Sequence, residues 1–259
     1  MSRSIPRTVR LNNGVVMPTL GLGVYQMKEG EETEQAVRWA LEVEYRLIDT
    51  AKFYNNETSV GRAVRGSGIA RENIFVTTKL WPTDFLDPLP AFERSFKKLD
   101  LGYIDLYLIH SPIPYVPSNV WKTFEKLYAE KRVRAIGVSN YSVKQLEKLL
   151  SSCSVPPAVN QVEFNPLSYK KNLLEFCGAK GIVLEAYSPL MRGKNLHNPI
   201  IKKVAGAHGK SPAQILIRWA LQHNAVVIPK SSQRERIKEN ASVFDFEIGS
   251  EEMAMLDAL

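Results

Sequence analysis

The chain has 259 residues, of which 44% are hydrophobic, and a formal net charge of +7. Its length suits one alternating strand–helix barrel, which commonly occupies about 250 residues. No stretch approaches the roughly 20 apolar residues that cross a bilayer, and the basic start Met1–Arg7 leads into no apolar segment of the kind a secretory signal needs. Lys and Arg are scattered rather than gathered into a block with interleaved aromatics, which argues against a nucleic-acid face.

Taken in order, Thr8–Met17 carries Asn13-Gly14 between apolar flanks, a hairpin signal, and Leu20–Gly23 reads as a first barrel strand. A repeated theme follows. Helix Glu32–Val43 precedes strand Arg46–Ile48, helix Glu57–Arg65 precedes strand Ile74–Thr78, and helix Pro90–Leu99 precedes strand Ile104–Ile109. Helix Val120–Glu130 leads to strand Val133–Val138, helix Val143–Leu150 to strand Val159–Val162, and helix Lys170–Lys180 to strand Ile182–Ala186. Pro199–Ala207 and Pro212–Gln222 are helical by period, Val226–Ile228 is the last strand, and Arg234–Ala241 is an outer helix. Eight strands with intervening helices predict a single-domain α/β (β/α)8 barrel over residues 1–259, closed at the bottom by the hairpin. An open doubly wound sheet is the alternative, but no Gly-x-Gly-x-x-Gly follows any strand. Cys153 and Cys177 are too far apart for a metal knuckle or a redox pair and are expected to be reduced thiols.

Three strands run into titratable residues: one into Asp49, with Tyr54 five positions on, one into Lys79 and one into His110. In a parallel barrel the C-terminal strand ends converge on the active face. An acid, a phenol, an amine and an imidazole suit carbonyl reduction, because a hydride arriving at carbon leaves negative charge on oxygen and calls for a proton donor there. A free phenol holds its proton too tightly, with a pKa of about 10. An ammonium beside it favours the phenolate, and a carboxylate can hold that ammonium in place. Tyr54, Lys79 and Asp49 fit these parts, with His110 as an orienting hydrogen-bond donor and no metal required.

The motifs Asp49-Thr50-Ala51-x-x-Tyr54-x-Asn56-Glu57, Thr77-Thr78-Lys79-Leu80-Trp81 and Tyr107-Leu108-Ile109-His110 stand in order. They are followed by Gly137-Val138-Ser139-Asn140, Asn160-Gln161-Val162-Glu163 and Ile228-Pro229-Lys230-Ser231. From about residue 8 onward the chain resembles the aldo-keto reductases, and among them the short microbial and protozoan members. The resemblance implies an NADPH-dependent enzyme, expected to be a cytoplasmic monomer, that reduces aldehydes or ketones with catalytic residues Asp49, Tyr54, Lys79 and His110. It implies that Ser139, Asn140 and Gln161 hold the nicotinamide carboxamide, with Gly23, Val24 and Asp49 also on the cofactor side. Tyr187 would face the nicotinamide ring, and Ser188 and Leu190 the pyrophosphate and ribose. Lys230, Ser231 and Arg236 match the residues that hold the adenosine 2′-phosphate, and Glu239 and Asn240 those that meet adenine.

Each residue also has a plainer reading. Asp49 is a favoured turn residue, Lys79 could be a solvated charge, and Ser139, Asn140 and Gln161 could satisfy loop backbone groups. Pro229–Arg236 joins a strand end to a helix start, where free N–H groups and the helix dipole attract anions; a basic helix face without function is the bland alternative. The substrate pocket is expected to comprise Tyr25, Tyr54, Trp81, His110 and Ser111. Ser111 stands where many family members carry Trp, Tyr25 also replaces a common Trp, and the loop Pro112–Asn119 is short. The chain stops at Leu259, inside or just after a helix, where the family has a tail over the pocket. These features predict an open pocket for small, polar or varied carbonyls. Two rival functions are a non-catalytic regulatory barrel and an aldolase-type enzyme using Lys79 as a Schiff-base amine.

Overall fold

Among the described residues, 7–112 and 116–259 of a computed structural model, eight parallel strands hydrogen-bond in chain order and curl until the first meets the last. The basic start 1–6 and the middle of the 112–119 loop lie outside them.

A hairpin comes first. Strand β1 (Thr8–Arg10) pairs antiparallel with β2 (Val16–Pro18). The link is a three-residue loop, not a two-residue turn: Leu11 N donates to Val15 O at 2.8 Å, and Gly14 takes the left-handed conformation (φ 85°) that glycine adopts without steric cost. Asn12 and Asn13 donate to the carbonyls of Pro157 and Arg134 and tie the loop to the barrel rim.

Strand β3 (Leu22–Gly23) opens the barrel, followed by α1 (Glu31–Glu42), β4 (Leu47–Asp49), α2 (Glu57–Arg65), β5 (Phe75–Leu80), α3 (Pro88–Leu99) and β6 (Ile104–Ile109). Then come α4 (Ser118–Ala129), β7 (Val133–Ser139), α5 (Val143–Leu150), β8 (Val159–Glu163), α6 (Lys171–Ala179) and β9 (Val183–Tyr187). Helices α7 (Pro199–His208) and α8 (Pro212–Gln222) precede β10 (Val226–Val227), and α9 (Arg234–Ala241) and α10 (Ser250–Asp257) complete the order. Closure is made by Gly21 N donating to Val227 O, Val227 N to Thr19 O and Gly23 N to Pro229 O, at 2.8–3.1 Å. The chain therefore forms the expected (β/α)8 barrel with a hairpin at its base.

Local chemistry explains the element ends. Ser142 and Ser211 each close a capping box with a glutamine three residues on, which satisfies otherwise free N–H groups at the starts of α5 and α8. Three boundaries differ from expectation in a consequential way. Strands β4 and β5 run on through Asp49 and Lys79, because each charge meets a partner inside the barrel and need not turn out to water. The first strand shrinks from Leu20–Gly23 to Leu22–Gly23, since Leu20 bridges Val227 to close the ring.

Alternation along the strands divides the interior into two levels. Leu47, Phe75, Leu106, Ala135, Val159 and Val226 fill the lower barrel, and Leu11 and Met17 of the hairpin segment plug it from below. Full burial of such side chains contributes roughly 1.5–3 kcal/mol each. One strand repeat further up, the inward positions turn polar: Asp49, Thr77, Lys79, Gln161 and Glu185 are all buried there. Residues on the other strand faces pack against the helices in a separate, larger core. Among the described residues no helix is long and apolar enough to cross a membrane.

Candidate active site

The upper barrel opens into a cleft of about 850 Å³ lined by strand ends and the loops after them. Behind Asp49 and Tyr54, which line it, Lys79 is fully buried, with all three ammonium hydrogens used. Its Nζ donates to Asp49 Oδ1 at 2.6 Å, to Thr50 O at 3.0 Å and to Tyr54 Oη at 3.3 Å. Asp49 Oδ2 accepts a 2.8 Å hydrogen bond from Gln161 Nε2. Burial pushes the Asp49 carboxyl up, against the downward pull of Lys79 and these hydrogen bonds. For Lys79, burial pulls down, but Asp49 and Tyr54 outweigh it and hold the ammonium above its ordinary value.

Tyr54 reaches this pair through a tight local turn. Residues Lys52–Tyr54 form a single 3₁₀ turn, closed by Tyr54 N to Ala51 O at 2.9 Å, and Asn55 follows in the left-handed region (φ 55°). Asn56 anchors the turn by accepting from Thr50 Oγ1 and donating to the carbonyls of Val24 and Met27. The pattern x-x-Tyr-x-Asn thus sets a phenol above an ammonium. Its electrostatics correct a simple expectation. Burial raises the Tyr54 phenol to about 12, outweighing the lowering by Lys79, so in the free protein it is a fully protonated donor at neutral pH.

His110 lies 5.7 Å from the Tyr54 ring, edge-on. Burial, then the Lys79 charge, pushes its imidazole down to about 3, so it is neutral at physiological pH. Its Nδ1 is shut away with no partner among the described residues, which leaves Nε2 as the nitrogen open to the cleft. The walls around it are aromatic. Trp81 meets His110 edge-on at 4.8 Å, Phe53 stacks on Trp81 at 4.0 Å and Tyr25 packs against Tyr54 at 5.0 Å, while Ser111 forms a small polar patch.

The other expected residues line the same cleft, with one exception. Ser139 Oγ donates to Gln161 O, Asn140 Nδ2 donates to His110 O at 3.1 Å, and Tyr187 Oη donates to Asn140 Oδ1 at 2.9 Å. Ser188, Leu190, Lys230, Ser231, Arg236, Glu239 and Asn240 continue along it, as does Gly23. At Gly23 an added Cβ would lie 3.0 Å from Ile228 O, so glycine lets the two backbones approach closely where the barrel closes. Val24 is the exception. It is buried in the outer core, its amide bonds Asp49 O at 3.0 Å, and it does not line the cleft. At the far end Lys230 and Arg236 are exposed and make no ion pair among the described residues. Glu239 accepts a hydrogen bond from Ser211, the N-cap of α8.

Three contributors escaped the sequence reading. Phe53 occupies an unspecified position of its motif, and its stacking partner Trp81 lies 28 positions away. Arg192 lines the cleft from an irregular turn in left-handed backbone (φ 54°). Glu185 is a carboxylate within an apolar strand; that mismatch was the available signal. No group of three or more His, Cys, Asp or Glu side chains able to hold a metal ion occurs among the described residues.

Residues 19–259 match the sequence description of the Aldo/keto reductase family. The chain belongs to this family. The glyoxal reductase of Bacillus subtilis (strain 168) is 48% identical over 261 residues, spanning 100% of this chain and 95% of that protein. The 9,11-endoperoxide prostaglandin H2 reductase of Trypanosoma cruzi (strain CL Brener) is 50% identical over 256 residues, covering 97% and 90%. The crystal structure of an aldo/keto reductase from Brucella melitensis superposes with a TM-score of 0.93 at 45% identity, covering 98% of both chains. Membership in the aldo/keto reductase family makes the chain an oxidoreductase with carbonyl-reducing relatives, and gives the cleft a chemical context.

Proposed function

We propose that this aldo/keto reductase is an NADPH-dependent reductase of small aldehydes, ketones and dicarbonyls, with Tyr54 as the proton donor. One observation carries the reading: a buried ammonium, held by a buried carboxylate, lies 3.3 Å from a phenol oxygen at the floor of a cleft.

NADPH, when bound, supplies the hydride that makes the carbonyl carbon a carbinol carbon. The residues that fit it are Ser139, Asn140, Gln161 and Tyr187 at the nicotinamide end. Ser188 and Leu190 lie along the middle, and Lys230, Ser231, Arg236, Glu239 and Asn240 at the adenosine end. Lys230 and Arg236, without an ion pair among the described residues and beside the Ser231 hydroxyl at the start of a helix, suit a dianionic phosphate. On the substrate side, neutral His110 donates a hydrogen bond to the carbonyl oxygen without competing for its proton. As charge develops there, Tyr54 transfers its phenolic proton to the oxygen, and Lys79 stabilises the phenolate left behind. Asp49 holds Lys79 in line. Phe53 and Trp81 exclude water on one side, while the small Ser111 leaves space for compact polar carbonyls.

Arg236→Ala is expected to weaken NADPH binding about 10- to 100-fold, the cost of one charge-assisted hydrogen-bonding group. NADH binding should change less than about twofold. Fluorescence titration with both cofactors reads this, and equal losses for the two would remove the phosphate assignment. In steady-state assays the wild type should consume NADPH faster with small dicarbonyls and aldehydes than with steroid ketones. A clear steroid preference would overturn the substrate class.

A further inference from the structure

Glu185 sits in the middle of β9 with no exposed surface, aimed into the barrel beside the reacting groups. The register places it opposite Gln161 on β8 and Val226 on β10. The titratable groups that face it are Asp49 from β4 and Lys79 from β5, with Tyr54 beyond Lys79. Lys79 spends its three hydrogens on Asp49, Thr50 and Tyr54, so none is left for Glu185. Among the described residues Glu185 Oε2 receives one hydrogen bond, 2.8 Å from Gln161 Nε2, and Oε1 has no partner.

An ionised carboxylate without solvent and with one neutral hydrogen bond is strongly disfavoured. The charge count agrees. Asp49 and Lys79 neutralise each other at 2.6 Å, so a second anion would leave a net negative charge buried at the barrel axis. Gln161 meanwhile uses both amide hydrogens, one on Asp49 Oδ2 and one on Glu185 Oε2, each at 2.8 Å. Two carboxyl acceptors on one side fix the orientation of that amide. Its carbonyl oxygen is turned away from them, and Gln161 lines the cleft.

We propose that Glu185 is a positioning residue that works in its protonated form, locking Gln161 with its oxygen toward the cleft, and that its ionisation slows proton donation by Tyr54 as pH rises. This rests on the reductase reading given above. Burial, followed by repulsion from Asp49, moves the Glu185 carboxyl up to about 8, so the change falls in an accessible range. The sign follows directly. A second buried anion beside Asp49 and Lys79 disfavours a phenolate at Tyr54, making the phenol a poorer acid and lowering the reduction rate above that pH.

Two measurements on the full chain test the proposal, and one is independent of turnover. Infrared pH-difference spectra of wild type against Glu185→Gln should contain a protonated carboxyl band at about pH 6 that disappears through a midpoint of about 8. A carboxylate signal already present at the lower pH would overturn the proposal. Should Glu185→Gln fail to fold, wild type labelled with 13C-glutamate carries the same reading. In the second measurement, kcat for carbonyl reduction is followed against pH, each enzyme normalised to its own plateau. The wild-type alkaline limb should lie at about 8, and in Glu185→Gln it should move up by more than about one unit. Superimposable profiles would overturn the switch. If the carboxyl band titrates as expected while no carbonyl is reduced by wild type, the reductase reading fails and the protonated state of Glu185 stands.

Discussion

Tyr54→Phe is expected to lower kcat for carbonyl reduction by about 10²–10⁴, the range for removing a general acid, while the cofactor Kd stays within about twofold. The substitution removes one oxygen and leaves the ring. The packing of that ring against Tyr25 at 5.0 Å and His110 at 5.7 Å should therefore survive. What goes is the phenol bonded to Lys79, a protonated donor beside the ammonium. Water can enter in its place, but without a fixed position it is a poor substitute for an oriented acid. Single-turnover kinetics with separate cofactor titration distinguish loss of chemistry from loss of binding. A loss below about tenfold would mean that protonation comes from elsewhere.

Lys79→Met is expected to damage stability and turnover together. Methionine keeps the chain as far as lysine's Cε and carries no charge, so Asp49 keeps Gln161 but loses its cation in a site with almost no solvent. Breaking one side of a buried pair typically costs about 3–5 kcal/mol, and denaturant unfolding should show it as a lower midpoint. Adding Asp49→Asn should recover much of that stability, because the orphaned charge is then gone. Turnover should stay low, by at least about 10², since no cation remains to stabilise the Tyr54 phenolate. A single variant as stable as wild type would contradict the buried-pair account. A double variant with restored turnover would contradict the role given to the ammonium.

The barrel was legible because its information is local and repeated. Apolar runs of four to six residues alternate with amphipathic helices, and α2, α5, α8, α9 and β6 match the outline from sequence to the residue. The catalytic-type quartet was legible for a related reason: three of its members stand at or near strand ends, and Tyr54 hangs on a motif whose turn chemistry is explicit. The remainder depends on register. Glu185 becomes informative only once β8 and β9 pair it with Gln161, and once the curl of the sheet brings β4 and β5 across the barrel to face it. Phe53 needed its stack on Trp81. Val24 differs from its neighbour because successive residues in extended backbone face opposite ways: Gly23 meets the cleft and Val24 the outer core. Helix α10 left only a hint, since its apolar residues Met253–Leu256 are consecutive and show no helical period.

Hydride delivery into this cleft is the claim on which the rest depends, and isotope transfer tests it most directly. NADPH carrying deuterium at both C4 positions would be incubated with the protein and a small dicarbonyl, and the product alcohol analysed by mass spectrometry. One deuterium on the new carbinol carbon, retained in ordinary water and suppressed in Tyr54→Phe, is the predicted result. Alcohol free of deuterium, or no alcohol with any carbonyl offered, would contradict the account.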